Sequence, residues 1–145
     1  MASETFFTQE QEAQIVAAIK AAEKNTSGEI RVHIEPSTLG VAALDRAVTV
    51  FQELEMHQTK SRNGVLIYLA FEDHSFSIFG DKGINEVVGK NFWDSTRDLM
   101  QTAFKNGAFA QGLVEGITEA GKVLKQYFPY QQDDQNELDD QISKG

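Results

Sequence analysis

The stretch Arg62–Ile84, RNGVLIYLAFEDHSFSIFGDKGI, decides the fold. Val65 to Phe71 is a nearly unbroken apolar run, rich in β-formers and too short for a typical helix. It therefore reads as a strand covered on both faces. Glu72-Asp73-His74 makes a polar turn, and Ser75 to Phe79 then alternates small polar with large apolar residues, the pattern of a strand folding back antiparallel. That second strand stops at Gly80-Asp81-Lys82-Gly83, where two glycines bracket a carboxylate at a sheet edge.

Upstream, Glu29 to Glu35 alternates strictly, with Ile30, Val32 and Ile34 on one face and Glu29, Arg31, His33 and Glu35 on the other. Pro36 closes it, since proline cannot donate to a ladder. Leu44, Ala47, Val48, Phe51 and Leu54 recur at helical spacing and predict a helix from about Val41 to Met56. Strand, helix and buried strand in succession make a βαβ unit, so the strands at 29–35 and 64–71 should run parallel. Thr8 with Gln11 three residues on resembles a capping box and opens a helix of about Gln9 to Lys24. Two more helices are marked by Phe92, Trp93, Thr96, Leu99, Ala103 and Phe104, then by Phe109, Leu113, Ile117, Ala120 and Leu124. The expected fold is a three-layer α/β/α sandwich, with a mixed central sheet of about four strands and helices on both faces. The expected organisation is one domain over residues 1–128, followed by an acidic tail over 129–145. Either the tail is disordered or Tyr127, Phe128, Tyr130 and Leu138 pin it across the domain.

Composition limits the function classes. A 145-residue chain with 41% hydrophobic content can bury one core. No cysteine is present, which removes disulfides and thiolate metal sites and fits a reducing compartment. The opening MASETFFTQEQE has no basic n-region and no apolar h-region, and no apolar run approaches the ~20 residues of a membrane span. A cytoplasmic protein without membrane insertion is expected. A net charge of −9 and the lack of a basic stripe disfavour nucleic acid.

If the strands are placed as above, Glu29, Asn63 and Asp81 share one end of the sheet, while Glu35, Glu72, Asp73 and His74 share the other. Asp81, in its glycine-flanked loop, would offer a hard cation an oxygen-only shell, with Asp94 and Glu86 completing it. Asp133, Asp134 and Glu137 would join only if the tail folds back. For each acid the plainer account is a solvated surface charge. Arg31 and His33 would suit a phosphate-gripping arginine beside an acid/base histidine, but a cross-strand salt network, or a polar face lying under a helix edge, is the favoured reading. His57 and His74 have no partner in sequence. The chain has no phosphate-cradling loop, nucleophile elbow or cysteine nucleophile.

Four segments, SGEIRVHIE at 27–35, RNGVLIYLA at 62–70, FSIFGDKGI at 76–84 and FKNGAFAQGLVEGI at 104–117, resemble the TPM domain family. That family is also known as thylakoid lumen phosphatase-like or photosystem II repair-type domains, and the resemblance covers about residues 8 to 128. It implies an α/β/α sandwich. Among the family's members are a plant lumenal acid phosphatase, calcium binders and an animal modulator of a receptor channel. Most carry a signal peptide and a membrane anchor, so this chain resembles a stand-alone soluble version. The family's aspartate after the third strand matches Asp81, and its acids near the next helix match Asp94 loosely. The expected function is therefore binding of calcium or magnesium by Asp81, Glu29, Asp94, Asp133, Asp134 and Glu137 in a regulatory or interaction module. Its partners would be divalent metal ions and a possible protein. The alternative is a metal-assisted acid phosphatase acting on phosphomonoesters, with Arg31 or Arg62 gripping the phosphate. An adaptor using the Gly112/Gly116 helix face is a third possibility.

Overall fold

A computed structural model describes residues 2–130 and 138–145. Asp133, Asp134 and Glu137 lie outside the described residues. The strands are β1 (Glu29–Glu35), β2 (Gly64–Ala70), β3 (Ser75–Gly80) and a two-residue β4 (Ser143–Lys144), in the sheet order β3-β2-β1-β4. β1 and β2 pair in parallel from Glu29↔Gly64 to Glu35↔Ala70, and β3 runs antiparallel from Gly80 opposite Val65. β4 pairs parallel to β1 at His33 and Ile34. Every residue of β2 is buried, as its continuous apolar run requires.

The helices are α1 (Ser3–Phe6), α2 (Gln9–Glu23), α3 (Ala43–Glu53), α4 (Lys82–Asn85), α5 (Asp94–Lys105) and α6 (Phe109–Leu124). They divide between the faces of the sheet. Ile30, Val32, Ile34, Val65, Ile67 and Leu69 point into a core with Ile15 and Ile19 of α2, Met100 and Phe104 of α5, and Leu113 and Ile117 of α6. The opposite core is smaller: Leu66, Tyr68 and Ala70 meet Ala47, Val50 and Phe51 of α3, with Met56 and Leu138 beside them. The result is the three-layer sandwich, α3 on one face and α2, α5 and α6 on the other.

The capping box opens α2, with the Gln11 N–H donating to Thr8 Oγ1 and the Thr8 N–H to Gln11 Oε1, both at 3.0 Å. α3 is shorter than its apolar spacing predicts. It ends at Glu53 because Glu55, at φ +56, turns the chain out of the helix. Leu44, expected in the buried stripe, is 51% exposed; Ala47, Val50 and Phe51 carry the contact instead. The Gly112/Gly116 face of α6 is not open for docking. A Cβ at Gly112 would run into the Phe104 ring, and one at Gly116 into the Met100 side chain, so these glycines bring α5 and α6 together.

Candidate functional site

Three acids, Asp81, Glu35 and Glu23, show how differently this fold treats its carboxylates. Glu29, Asn63 and Asp81 do lie at one end of the sheet: the Glu29 N–H donates to the Asn63 carbonyl, and the Asp81 N–H to Gly64. Yet Asp81 is committed. Arg62 grips it through Nε at 2.7 Å and Nη2 at 2.9 Å, while its Oδ1 also accepts the Lys82 N–H at 2.7 Å and caps α4. The pair borders a cleft of about 460 Å³ lined by Val48, Phe51, Gln52, His57 and Phe79. Asp94, at the exposed start of α5, pairs with Arg97 one turn on. Neither carboxylate is a vacant ligand. Asp81→Asn, which removes the charge but keeps the shape, is expected to lower the melting temperature. A thermal melt checks this.

Glu35 sits in the densest polar cluster. The polar residues of β1 face the α3 side, and Glu35 is buried there at 4% exposure. Arg46 of α3 donates Nε at 2.7 Å and Nη2 at 3.0 Å, the Tyr68 hydroxyl donates at 2.5 Å, and His33 Nε2 lies at 3.0 Å. Burial alone would push the Glu35 carboxyl up, but the bonds from Arg46, Tyr68 and His33 outweigh it and hold it at about 2. An ionised carboxylate only accepts, so His33 donates from Nε2, and its Nδ1, 2.9 Å from Ser143 Oγ, accepts that hydroxyl. Burial keeps the His33 ring below its usual range and therefore neutral. His33 and Glu35 thus lie on a polar strand face beneath α3, where Arg46 pairs with Glu35; Arg31 makes none of these bonds.

Glu23 closes α2 and caps the open edge of β1: the Ile30 N–H donates to Glu23 Oε2 at 3.1 Å. Its carboxyl is pushed up to about 9 by burial, by a hydrogen bond with Asp140 and by the charges of Asp140 and Glu29. Three acids from α2, β1 and the C-terminal segment therefore act on one another here. Glu29, the one sequence-predicted ligand in this group, is 4% exposed. Sequence reasoning missed Glu23 and Asp140 because the first looks like an ordinary helix end and the second like part of a charged tail. Among the described residues, no three His, Cys, Asp or Glu side chains are grouped closely enough to hold a metal ion by themselves.

The C-terminal segment reaches this edge through several contacts. Leu138 enters the α3-side core and Ile142 packs against the other. Lys144 pairs with Glu12 at 2.8 Å, the Gly145 N–H donates to the Ile34 carbonyl at 2.9 Å, and Ser3 Oγ donates to the Gly145 carbonyl at 2.6 Å. No helix among the described residues is long and apolar enough to cross a membrane.

Comparison with solved structures gives a chain similar over nearly its whole length. It is the BA42 protein of the psychrophilic bacterium Bizionia argentinensis, known by NMR, with 56% identity, a TM-score of 0.92 and coverage of 98% of this chain and 97% of that one. Two more distant NMR structures share the fold. One is the N-terminal domain of a P. gingivalis protein at 19% identity, with a TM-score of 0.72 and coverage of 88% and 83%. The other is the N-terminal domain of cg2496 from Corynebacterium glutamicum at 14% identity, with a TM-score of 0.66 and coverage of 97% and 82%. A comparison with curated proteins finds no match. The model of the TPM domain matches residues 1–123, and the chain belongs to the TPM domain family.

Proposed function

We propose that this TPM domain is a divalent-cation-binding regulatory or interaction module, taking calcium or magnesium where α2, β1 and the C-terminal segment meet. The observation that carries the reading is the placement of Glu23, whose Oε2 accepts the Ile30 N–H at 3.1 Å at the edge of β1 with Asp140 and Glu29 beside it; burial and these neighbours push its carboxyl up to about 9. Burial first, and the neighbouring acids after it, favour a proton on Glu23, and a cation can replace that proton. Glu23, Glu29 and Asp140, which form no complete ligand group by themselves, would supply part of the shell, and Asp133, Asp134 and Glu137 lie in the segment leading to Asp140. Hard cations favour such all-oxygen sets. Asp81 and Asp94 are left with structural roles against their arginines. Hydrolysis is the weaker reading, because Arg62, expected to grip a phosphate, already gives two donors to Asp81.

Titration with calcium and with magnesium tests this. At about 100 times Kd the ion should stabilise the fold by ~2.7 kcal/mol, raising the melting temperature by about 8 °C. Binding at pH 7 should release close to one proton, read as a dependence of the titration enthalpy on buffer ionisation. Glu23→Gln should weaken binding about tenfold or more and abolish the proton release. If neither ion moves the melting temperature, the reading fails.

The same carboxyl sets a pH dependence in the metal-free protein. Its pKa rises from 4.5 to about 9 on folding, so its favourable contribution is complete below pH 4.5 and is lost as pH climbs toward 9. The melting temperature without metal should fall across that window, and Glu23→Gln should flatten the fall.

A further inference from the structure

The geometry points to a hydrolytic site that does not depend on the cation reading: Ser143, His33 and Glu35 form a nucleophile, base and orienting acid for cleaving carboxylic esters that carry a negative charge. Ser143 Oγ lies 2.9 Å from His33 Nδ1, and His33 Nε2 lies 3.0 Å from Glu35 Oε1. The chain of donors has one direction. Arg46 and Tyr68 keep Glu35 an acceptor, so His33 must donate to it from Nε2 and present its Nδ1 lone pair to the serine hydroxyl. The two ring nitrogens exchange their more familiar roles, which leaves the proton logic unchanged. Burial, which keeps His33 neutral, maintains the basic lone pair at neutral pH. The groups facing the ring include Glu35 of β1, Tyr68 of β2, Arg46 and the charge of Glu53 from α3, Ser143 of β4, and Gly145, which packs against His33 Nε2.

Access and charge selection come from the same side of the sheet. β4 is the edge strand among the described residues, and Ser143 itself is half-exposed. Arg31 stands two residues before His33 on the same face of β1. Its Nε–H is buried without an acceptor among the described residues. A half-buried guanidinium with an unmet donor among the described residues is matched by an anionic ligand. In the reaction, Ser143 Oγ bonds to the acyl carbon while its proton passes to His33 Nδ1. The alkoxide leaves, taking that proton, as the alcohol. Water then attacks the acyl-serine with His33 again accepting and returning the proton, giving the carboxylic acid and free Ser143.

The test uses the full chain and two probes. A fluorophosphonate should modify Ser143 at least a hundredfold faster than the exposed Ser61, located by peptide mass mapping. The rate should fall as His33 is protonated at low pH and drop about a hundredfold in H33Q. Because H33Q disturbs a buried cluster, S143A, which removes only one hydroxyl, serves as the second variant and should abolish the modification. The mono-p-nitrophenyl ester of succinic acid should be cleaved at least tenfold faster than p-nitrophenyl acetate. R31M should erase that preference by lowering the rate on the succinate ester. Modification of Ser143 no faster than of Ser61, or ester cleavage unchanged in S143A, overturns the assignment of the nucleophile. An unchanged preference in R31M overturns the charge selection.

Discussion

Replacing Glu35 by alanine should be among the most destabilising single changes in this chain, costing about 3–5 kcal/mol and lowering the melting temperature by about 10–15 °C. The reason is the number of donors left behind. Arg46 loses both of its bonds to Glu35, Tyr68 loses the acceptor of its buried hydroxyl, and His33 loses the partner of its Nε2–H. Each orphaned group then carries its desolvation cost without a return bond, and the guanidinium does so as a mostly buried charge. Glu35→Gln should recover only part of the loss. Its one carbonyl oxygen can accept, but its NH₂ must face groups that are themselves donors.

Two further measurements separate this account from simple loss of packing. Arg46→Met should cost less than Glu35→Ala, because Arg46 keeps an exposed edge while Glu35 does not. The double variant Glu35→Ala/Arg46→Met should be milder than the sum of the two, since removing both charges leaves no unpaired ion. The acid limb of stability gives the second measurement. With a folded pKa of about 2 against an ordinary 4.5, Glu35 stabilises the fold above pH 4.5, and that contribution is lost as pH falls toward 2. Wild type should therefore lose stability steeply over this range, and Glu35→Ala should lose it less steeply. Equal slopes would mean that the carboxylate does not hold the cluster together.

The sheet was legible from sequence because its signals are local. Strict alternation in 29–35 and an unbroken apolar run in 65–71 each have one structural solution, and the short turn between 71 and 75 fixes the hairpin. The end of the sheet that gathers Glu29, Asn63 and Asp81 followed directly from that topology. What the sequence did not display was pairing across long separations. Arg62 and Asp81 are 19 residues apart, and nothing in RNGVL announces an arginine that turns through φ +50 to meet the next loop. Ser143 and His33 are 110 apart, joined by a two-residue strand whose Ser-Lys sequence carries no β pattern. Glu23 was hidden for a related reason. A glutamate in the last turn of a helix opposes the helix dipole and reads as solvated, and only the return of the C-terminal segment buries it beside Asp140. Carboxylate type and spacing thus located a charged sheet end, whereas the identity of each partner was set by tertiary contacts.

Gly83→Ala should approach the loss at Glu35, at about 3 kcal/mol, although it adds a single methyl group. The Gly83 N–H donates to the Arg62 carbonyl at 2.9 Å, so the first turn of α4 lies directly against the loop that enters β2. A Cβ built there would collide with the backbone carbonyls of Ser61 and Arg62. Those atoms cannot rotate away as a side chain can. Arg62 is already in the left-handed region, and its guanidinium must remain in place to grip Asp81. Moving the loop would therefore also disturb the Arg62–Asp81 pair and the mouth of the cleft beside it. Gly116→Ala is the instructive contrast. Its added Cβ would meet only the Met100 thioether, a flexible side chain that can adopt another rotamer, so the cost should be about 1–2 kcal/mol. Urea melts of the two variants side by side decide the matter. If Gly83→Ala proves no more costly than Gly116→Ala, the backbone contact at α4 is softer than its geometry implies, and Asp81 does not depend on it for its position.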